Sequence, residues 1–212
     1  MERVLVAGAN GTTGKQIVKL LKESQYFEPV AMVRKGAQME QFKKDNIETV
    51  LGDLENDLSH TTKNIDKVLF AAGSGGKNVV GVDQEGAKNL IKQSSKDNVK
   101  KFVMLSSMGA DEPEQAEELK DYLIAKHNAD EYLKQSNLKY TIVRPGSLTN
   151  DKATGTISIA EKLNRRGEIT RADVAQTLVR SLHDDAPVNQ TFEILSGNTL
   201  IGEALDTINT HK

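Results

Sequence analysis

The chain contains no cysteine and no tryptophan, and aromatic residues make up only 4% of it. Without thiols it has no disulfides, thiolate metal sites or cysteine nucleophile. No apolar run approaches the roughly 20 residues of a membrane-spanning helix, so we expect no membrane partner. The first apolar strand begins near Arg3, which leaves no room for a signal peptide, and we therefore expect a cytoplasmic protein.

Charge is nearly balanced, with a formal net charge of −2, and basic residues form no runs longer than pairs. This balance gives no electrostatic support for nucleic-acid binding. The histidines are scattered without metal-ligand spacing, so we predict no metal centre and expect them to face solvent in helices or loops: His60, His127, His183 and His211.

Short apolar strands alternate with amphipathic helices along most of the 212 residues. This alternation predicts an α/β protein with a parallel sheet covered on both faces, a three-layer Rossmann-like doubly wound fold. We treat residues 1–212 as a single domain in which 147–212 contribute a small substrate-side cap. Strands are predicted at 4–7, 29–34, 47–51, 66–72, 101–105, 140–143, 156–159 and 191–195. Helices are predicted at 15–22, 38–44, 83–96, 119–135, 170–182 and 201–208.

Gly8, Gly11 and Gly14 lie between the first predicted strand and the first helix. In this arrangement Gly8 permits a tight turn, Gly11 lets backbone approach a pyrophosphate, and Gly14 lets the helix pack close to the strand. Backbone N–H groups and a helix N-terminus then face a phosphate. Further donors come from Asn10, Thr12 and Thr13. The turn predicts a dinucleotide site; the alternative is a tight turn without a ligand.

The residues after the second strand discriminate between the two nicotinamide cofactors. An acidic residue there would bind the 2′-hydroxyl of NAD, whereas this chain has Arg34 and Lys35, which suit the 2′-phosphate of NADP. The alternative is that these two basic residues are solvated at the end of the strand and bind no phosphate. Asp53, after the third strand, is placed either to reach the adenine edge or to cap the next turn. The sequence therefore predicts NADP(H) in preference to NAD(H).

Several motifs occur in a characteristic order: the glycine turn, then Met32–Arg34, Gly52–Leu54, Leu105–Ser107 and Thr141–Gly146. With them the chain resembles the atypical short-chain dehydrogenase/reductases, in particular the small NAD(P)H-binding subgroup labelled sugar-epimerase-like or NmrA-like. The resemblance covers essentially the whole chain. It implies the sheet order 3-2-1-4-5-6-7, with substrate over the carboxyl ends of the strands. It also implies cofactor contacts from strand ends and nearby residues: Leu54, Ala71, Ala72, Gly73, Ser106, Lys126, Pro145 and Gly146.

The wider superfamily has a serine after the fifth strand and a Tyr-x-x-x-Lys pair on the next helix, matched here by Ser107, Tyr122 and Lys126. Residues four apart share a helix face, so the ammonium can lower the pKa of the phenol. By this resemblance Tyr122 is the general acid/base, Ser107 holds the substrate oxygen, and Lys126 also binds the nicotinamide ribose. The alternative is that Tyr122 packs or faces solvent while Lys126 binds cofactor alone.

These features together predict an NADP-dependent oxidoreductase or epimerase-like enzyme that acts on a small carbonyl or hydroxyl compound. One alternative is a non-catalytic NADP(H)-binding redox sensor of the NmrA-like type. Another is a flavin or quinone reductase, in which hydride transfer needs no dedicated tyrosine. The expected partner is a small-molecule substrate, and the expected assembly is a monomer or a homodimer. The glycine-rich segment 73–81 is predicted to be either a mobile flap over the cofactor or a flexible connection.

Overall fold

The computed structural model describes residues 1–116 and 118–209, and they form one large sheet with helices on both faces. The helices are α1 Thr12–Glu23, α2 Gly36–Lys43, α3 Ala87–Lys96, α4 Lys120–Lys134, α5 Arg171–Arg180 and α6 Ile201–Asn209. The strands are β1 Glu2–Ala7, β2 Phe27–Val33, β3 Glu48–Leu51, β4 Lys67–Phe70, β5 Lys101–Leu105, β6 Tyr140–Pro145, β7 Ser147–Thr149, β8 Thr156–Ala160, β9 Glu168–Thr170, β10 Gln190–Ser196 and β11 Thr199–Leu200.

The order of the main sheet is β11-β8-β10-β6-β5-β4-β1-β2-β3. Strands β1 to β6 and β10 pair in parallel, which confirms the predicted order for its first six strands. The place next to β6 is taken by β10, the last predicted strand, and predicted strand 156–159 lies outside it as β8. Beyond β10 the sheet continues with β8, which is antiparallel to β10, and with β11, which is antiparallel to β8. The order reverses between β1 and β4, and ligands of open α/β sheets bind at this switch point.

Alternate side chains of each buried strand enter two separate cores. Val4 and Val6 face one core with α1, α5 and α6, whereas Leu5 and Ala7 face the other with α3 and α4. Both faces of the sheet are therefore covered, and the predicted α/β three-layer class is confirmed. The carboxyl ends of the parallel strands are the edge at which loops can build a site.

The helix predicted at 83–96 begins earlier than predicted, and its first turn is not α-helical. Residues Val79–Gly86 form a π-helical segment that continues into α3. Its wider turn carries Asp83 into the interior, where the carboxylate forms an ion pair with Lys126 of α4. The apolar periodicity of the sequence does not indicate such an ion pair. The described residues between β5 and α4 contain a single 3₁₀ turn, Pro113–Gln115, and residue 117 lies outside the described residues. The short strands β7 and β9, which pair in parallel, escaped prediction because each has only three residues.

The C-terminal part of the chain contributes to the main sheet as well as to a peripheral layer. Strand β10 pairs with β6 in the centre of the fold, and Phe192 and Ile194 enter the α1, α5 and α6 core. The segment predicted as a substrate-side cap, 147–212, therefore also supplies a strand of the main sheet, and its role beside the substrate stays a prediction. In the described ranges no helix is long and apolar enough to cross a membrane.

Asp97, at the C-terminal end of α3, predicts a pH-dependent stability. It accepts hydrogen bonds from Lys63 Nζ at 2.6 Å, Thr62 Oγ1 at 2.5 Å and Gln93 Nε2 at 2.8 Å. Lys63 and Thr62 lower the pKa of this carboxyl to about 2. The folded-state pKa lies below the unfolded one. The stabilisation of the fold by ionised Asp97 is therefore complete above about pH 4 and is lost as the pH falls towards 2.

We expect Asp97→Asn to lower the free energy of unfolding by about 1 kcal/mol at pH 7, since solvent screens part of the pair. The difference from the unmodified protein should shrink between pH 4 and pH 2. Urea titrations at several pH values measure this. Asp45→Asn is the control, because the exposed Asp45 carboxylate has no hydrogen bond or ion pair in the described part of the chain. A difference independent of pH would contradict the assignment.

Candidate functional site

The glycine turn is closed by backbone packed against backbone. Gly8 has φ +87°, and a Cβ there would lie 2.6 Å from the carbonyl oxygen of Ala71. A Cβ on Gly14 would lie 2.0 Å from the Gly8 carbonyl oxygen. The Gly11 N–H donates to that same oxygen at 2.9 Å. Only glycine fits at Gly8 and Gly14, so the turn, the start of α1 and the end of β4 form one rigid cradle.

The open side of this cradle is the N-terminus of α1. Gly11 is the N-cap, no side chain caps the helix, and its first turn contains no acidic residue. Gly11 and Thr12 are exposed, whereas Thr13 and Gly14 are buried. The first N–H groups of the helix are thus available to an anion, and the positive end of the helix dipole favours one. The cradle fits the pyrophosphate of a dinucleotide.

Arg34 and Lys35 follow β2, which is the parallel neighbour of β1, so they lie at the same edge of the sheet as the cradle. Gln38 Oε1 accepts from both of their backbone N–H groups at 3.0 Å and fixes this corner. The side chain of Gln41 in α2 donates to Asn10 of the turn. Both basic side chains are exposed, and the Arg34 guanidinium has no ion pair within the described residues. Arg34 is therefore available to an anionic group beside the cradle.

Asp53 caps the turn that follows β3. Its Oδ1 accepts from the Glu55 N–H at 3.2 Å, and its carbonyl oxygen accepts from the Asn56 N–H at 2.9 Å. Leu54 is buried, and a Cβ on Gly86 would lie 2.7 Å from the Leu54 Cβ. The capping role considered for Asp53 is thus present in the structure. Its contact with adenine, like that of Leu54, stays a prediction.

Residues Ala71–Gly73 connect the cradle to the π-helical segment. Ala71 N–H donates to the Ala7 carbonyl oxygen at 2.9 Å, and the following Ser74 N–H donates to Asp83 Oδ2 at 3.0 Å. Further along, Asn78 Nδ2 donates to Glu55 Oε1 at 2.6 Å. The glycine-rich segment therefore spans from the end of β4 to the turn after β3, bordering the region predicted for adenosine.

Lys126 lies at the centre of the buried charges. Its Nζ is 3.5 Å from Asp83 Oδ1 and 3.4 Å from the Leu105 carbonyl oxygen, both longer than the roughly 2.7–2.9 Å of a close charge-assisted bond. The residue is only 3% exposed. The ammonium is thus held between the π-helical segment and the end of β5 and keeps hydrogen-bonding capacity for a further partner.

Tyr122 and Lys126 share one face of α4, as their spacing predicts, but the ammonium approaches the ring of the tyrosine. Lys126 Nζ is 5.6 Å from the Tyr122 ring centroid. Across residues 1–116 and 118–209 the Tyr122 hydroxyl has no hydrogen-bond partner. Ser107, directly after β5, is partly buried and donates to the Met108 carbonyl oxygen at 3.2 Å. The structure thus brings Tyr122 and Lys126 into contact, and Lys126 also contacts the end of β5, two residues before Ser107.

A buried network beside these residues was missed by the sequence argument. Asp130 Oδ2 accepts from Ser106 Oγ at 2.8 Å and from Arg144 Nε and Nη2 at 3.0 and 2.9 Å. Full burial raises the pKa of the Asp130 carboxyl, which opposes the stabilisation of its charge by Arg144 and Ser106. The available signal was the position of Asp130, four residues after Lys126 and on the same helix face.

The Ser106 hydroxyl is thus occupied as a donor, so its predicted cofactor contact would use the hydroxyl oxygen as acceptor or the main chain. Pro145 is buried at the end of β6, and Gly146 packs tightly, because a Cβ there would lie 2.4 Å from the Gly167 carbonyl oxygen. The N–H of Gly146 donates to the Ile194 carbonyl oxygen at 3.1 Å. Their predicted cofactor contacts remain predictions.

An ion-pair bridge joins the loop after β5 to the loop after β8. Lys162 Nζ is 2.9 Å from Asp111 Oδ2 and 2.8 Å from Glu112 Oε2. Glu112 and Asp111 together raise the pKa of Lys162. Asp111 also lies 3.9 Å from Arg144 Nη1. The bridge therefore fixes one wall of the region predicted to take substrate.

The expectation that the histidines face solvent is wrong for two of them. His127 is partly buried, with Nδ1 2.7 Å from the Ala110 carbonyl oxygen. His183 is partly buried, and its ring packs edge-on against Phe27 at 4.8 Å. His60 is exposed, and His211 lies outside the described residues. Among the described residues no group of three histidine or acidic side chains is placed to hold a metal ion.

The parallel sheet, the switch point and the glycine cradle define a Rossmann-type dinucleotide-binding protein. A family model described as NAD(P)H-binding matches residues 8–185. The chain therefore belongs to this NAD(P)H-binding family, and the matched range includes every residue predicted here to contact cofactor or substrate.

Relatives of this chain carry names of reductases and epimerases. It is 39% identical over 211 residues to the uncharacterized sugar epimerase YhfK of Bacillus subtilis, covering 96% of this chain and 98% of that protein. A solved structure from Bacillus halodurans, provisionally described as an NAD-dependent epimerase/dehydratase, is 37% identical with a TM-score of 0.93, covering 98% of this chain and all of that one. Sanguinarine reductase of Eschscholzia californica is 28% identical, covering 95% of this chain and 91% of that protein.

The cradle predicts opposite effects for two glycine substitutions near helix N-termini. In Gly14→Ala the new Cβ would collide with the Gly8 carbonyl, so we expect a loss of about 2–3 kcal/mol in the free energy of unfolding and much weaker NADPH binding. A Cβ on Gly202 meets nothing within 4 Å. Gly202→Ala should therefore be neutral or stabilising by about 0.5 kcal/mol.

Urea unfolding and NADPH fluorescence titration measure the two effects. Wild-type NADPH affinity in Gly14→Ala would show that α1 need not approach the turn this closely. Gly202→Ala controls for the general effect of replacing glycine in a helix.

Proposed function

We propose that this protein is an NADPH-dependent oxidoreductase that reduces a small carbonyl compound, or oxidises the corresponding alcohol in the reverse direction. The name of the relative sanguinarine reductase supports a reductive activity in the family. The observation that carries the proposal is the placement of Lys126. Its buried ammonium lies on the same face of α4 as Tyr122 and joins Asp83 of the π-helical segment to the end of β5 through two long contacts.

The preference for NADPH rests on the corner after β2. Arg34 and Lys35 are exposed there, and Gln38 holds their backbone in place. A guanidinium can bind a 2′-phosphate through two parallel hydrogen bonds, which a 2′-hydroxyl cannot match in strength. A carboxylate that would favour the ribose of NAD is absent from Met32–Gly36 in the sequence.

When bound, the nicotinamide cofactor would supply the hydride for reduction of the carbonyl carbon. Tyr122 donates its hydroxyl proton to the carbonyl oxygen, so that the product is a neutral alcohol and the phenolate is reprotonated from solvent. The Ser107 hydroxyl donates a hydrogen bond to that same oxygen. Lys126 holds the nicotinamide ribose and stabilises the transient phenolate by its positive charge.

A flavin or quinone reductase is the second candidate, and one observation favours it. Asp83 balances the charge of Lys126, and the ammonium approaches the Tyr122 ring rather than forming a hydrogen bond to the hydroxyl. If this arrangement persists with ligands bound, Tyr122 is a packing residue. Reduction of an electron-poor ring by hydride transfer needs no general acid of this kind.

Replacement of Arg34 by alanine tests the cofactor preference. We expect Arg34→Ala to weaken NADPH binding by about 10- to 100-fold, through the loss of hydrogen bonds to a charged group. NADH binding should change by less than about twofold, since NADH has no 2′-phosphate. Fluorescence titration measures both constants, and Lys44→Ala at the other end of α2 is the control. Equal losses for the two cofactors would exclude a role of Arg34 in recognising the phosphate.

Tyr122→Phe separates the two candidate reactions. For carbonyl reduction we expect kcat to fall by roughly 10²–10⁴-fold, as for loss of a general acid, while NADPH affinity is retained. NADPH oxidation is followed at 340 nm with carbonyl, quinone and flavin acceptors. Tyr132→Phe, on the same helix, is the control.

Undiminished carbonyl reduction by Tyr122→Phe would remove the proposed mechanism. Turnover of a quinone or flavin alone, unaffected by the substitution, would establish the second candidate. NADPH binding without turnover of any acceptor would point to the sensor function instead.

A further inference from the structure

Three hydrogen bonds converge on one oxygen of Asp130, and they join three different parts of the fold. Asp130 itself lies on α4, Ser106 follows β5, and Arg144 lies near the end of β6. Both the Ser106 hydroxyl and the Arg144 guanidinium donate to Oδ2, at distances of 2.8 to 3.0 Å. One carboxylate oxygen therefore holds one helix and two strand ends together.

Each participant is removed from water. Asp130 is 0% exposed, Ser106 is 3% and Arg144 is 5%. Asp130 Oδ1 is buried without a hydrogen-bond partner among the described residues. A carboxylate in such a place is costly to desolvate, and apolar residues of similar volume often give equal or higher stability. Stability alone therefore does not account for this choice of residues.

The network lies directly behind the residues proposed to act on substrate and cofactor. Tyr122, Lys126 and Asp130 are spaced four residues apart and share one face of α4. Ser106 immediately precedes Ser107, and Arg144 immediately precedes Pro145. Any rotation of α4 about its axis would move Asp130 away from Ser106 and Arg144, and it would carry Lys126 and Tyr122 with it.

We propose that Asp130 is a positioning residue that fixes the rotation of α4 against the ends of β5 and β6, and thereby sets where Lys126 and Tyr122 meet the nicotinamide half of the cofactor. The part of this inference that concerns Tyr122 rests on the proposed function. The part that concerns Lys126 rests on NAD(P)H binding. Asp130 acts through its neighbours and is not itself a catalytic residue.

The two halves of the cofactor should respond differently to the loss of Asp130. The adenosine half is predicted to bind at the α1 cradle and Arg34, which have no contact with Asp130 in the described residues. The nicotinamide half is predicted to need Lys126. Loss of Asp130 should therefore weaken binding of the complete cofactor and leave binding of its adenosine fragment unchanged.

The experiment compares two ligands, NADPH and adenosine 2′,5′-bisphosphate, by isothermal titration calorimetry. For Asp130→Asn we expect NADPH affinity to fall about tenfold or more, which corresponds to one lost hydrogen bond to a charged group. The bisphosphate affinity should stay within twofold. Equal changes for both ligands, or no change for either, would overturn the proposal.

Asp97→Asn is the matched control, because Asp97 also accepts three side-chain hydrogen bonds. Asp97 lies at the C-terminal end of α3, shortly before β5 begins, and so at the amino-terminal ends of the strands. The substitution should lower the urea midpoint and leave both affinities unchanged. A loss of NADPH affinity in this control would mean that lower stability alone weakens binding, and the proposal would fail.

A double variant separates positioning from stability. Asp130→Leu combined with Arg144→Met removes both buried charges, so we expect it to unfold at a higher urea midpoint than Asp130→Asn. If Asp130 positions α4, the selective loss of NADPH affinity persists in this stable protein. Recovery of wild-type NADPH affinity together with stability would show that the network is purely structural.

Turnover provides a further measurement that distinguishes this inference from the proposed function. If the unmodified protein reduces a carbonyl acceptor, Asp130→Asn should lower kcat by about 100-fold, as a displacement of about 1 Å can do. If the unmodified protein binds NADPH but reduces nothing, the proposed reaction fails. The ratio of the NADPH and bisphosphate affinities still decides whether Asp130 positions Lys126.

Discussion

The contact of the Gly8 peptide with its surroundings is the constraint on which the remaining architecture depends. Backbone of the turn touches backbone at the end of β4 on one side and the first turn of α1 on the other, at distances that exclude any Cβ. This contact occurs where the strand order reverses. Because the three segments are in direct contact, the crevice at the switch point has a fixed width. The N-terminus of α1 faces this crevice, and the position of the turn determines where a bound cofactor would lie relative to the other predicted contacts.

The second core, between the sheet and α4, combines apolar packing with buried charge. Phe70, Met104 and Ile142 fill its interior, yet Lys126 and Arg144 are buried close to the carboxyl edge, each beside an aspartate. Because each cation has an acid partner, the interior gains no net charge from these pairs. Binding sites built in this way hold polar groups in fixed positions before a ligand arrives, at a cost in desolvation free energy.

The fold was predictable from the sequence because its determinants are local. Glycine spacing, apolar strand runs and helix periodicity are read within windows of about ten residues, and the strand order followed from the family resemblance. Asp83 and Asp130 were not predictable in the same way. In the sequence they look like polar positions on a helix surface, and only the packing of helices onto the sheet brings them to Lys126, Ser106 and Arg144. The π-helical segment escaped prediction for the same reason, since the pair that accompanies it joins residues far apart in the chain.

In the proposed function the two halves of the crevice recognise the cofactor by different physical means. At the half predicted for adenosine, backbone N–H groups and exposed basic side chains are available to charged phosphates, so the proposed recognition is electrostatic and remains accessible to water and salt. At the nicotinamide half, the cations are already paired with acids, so they are suited to hydrogen bonds with neutral hydroxyl or carbonyl groups rather than to anions. We therefore expect cofactor preference to depend mainly on the first half. In the proposed reaction, reactivity depends on how accurately α4 presents Tyr122 and Lys126, and the proposed positioning role of Asp130 assigns this accuracy to a buried side chain.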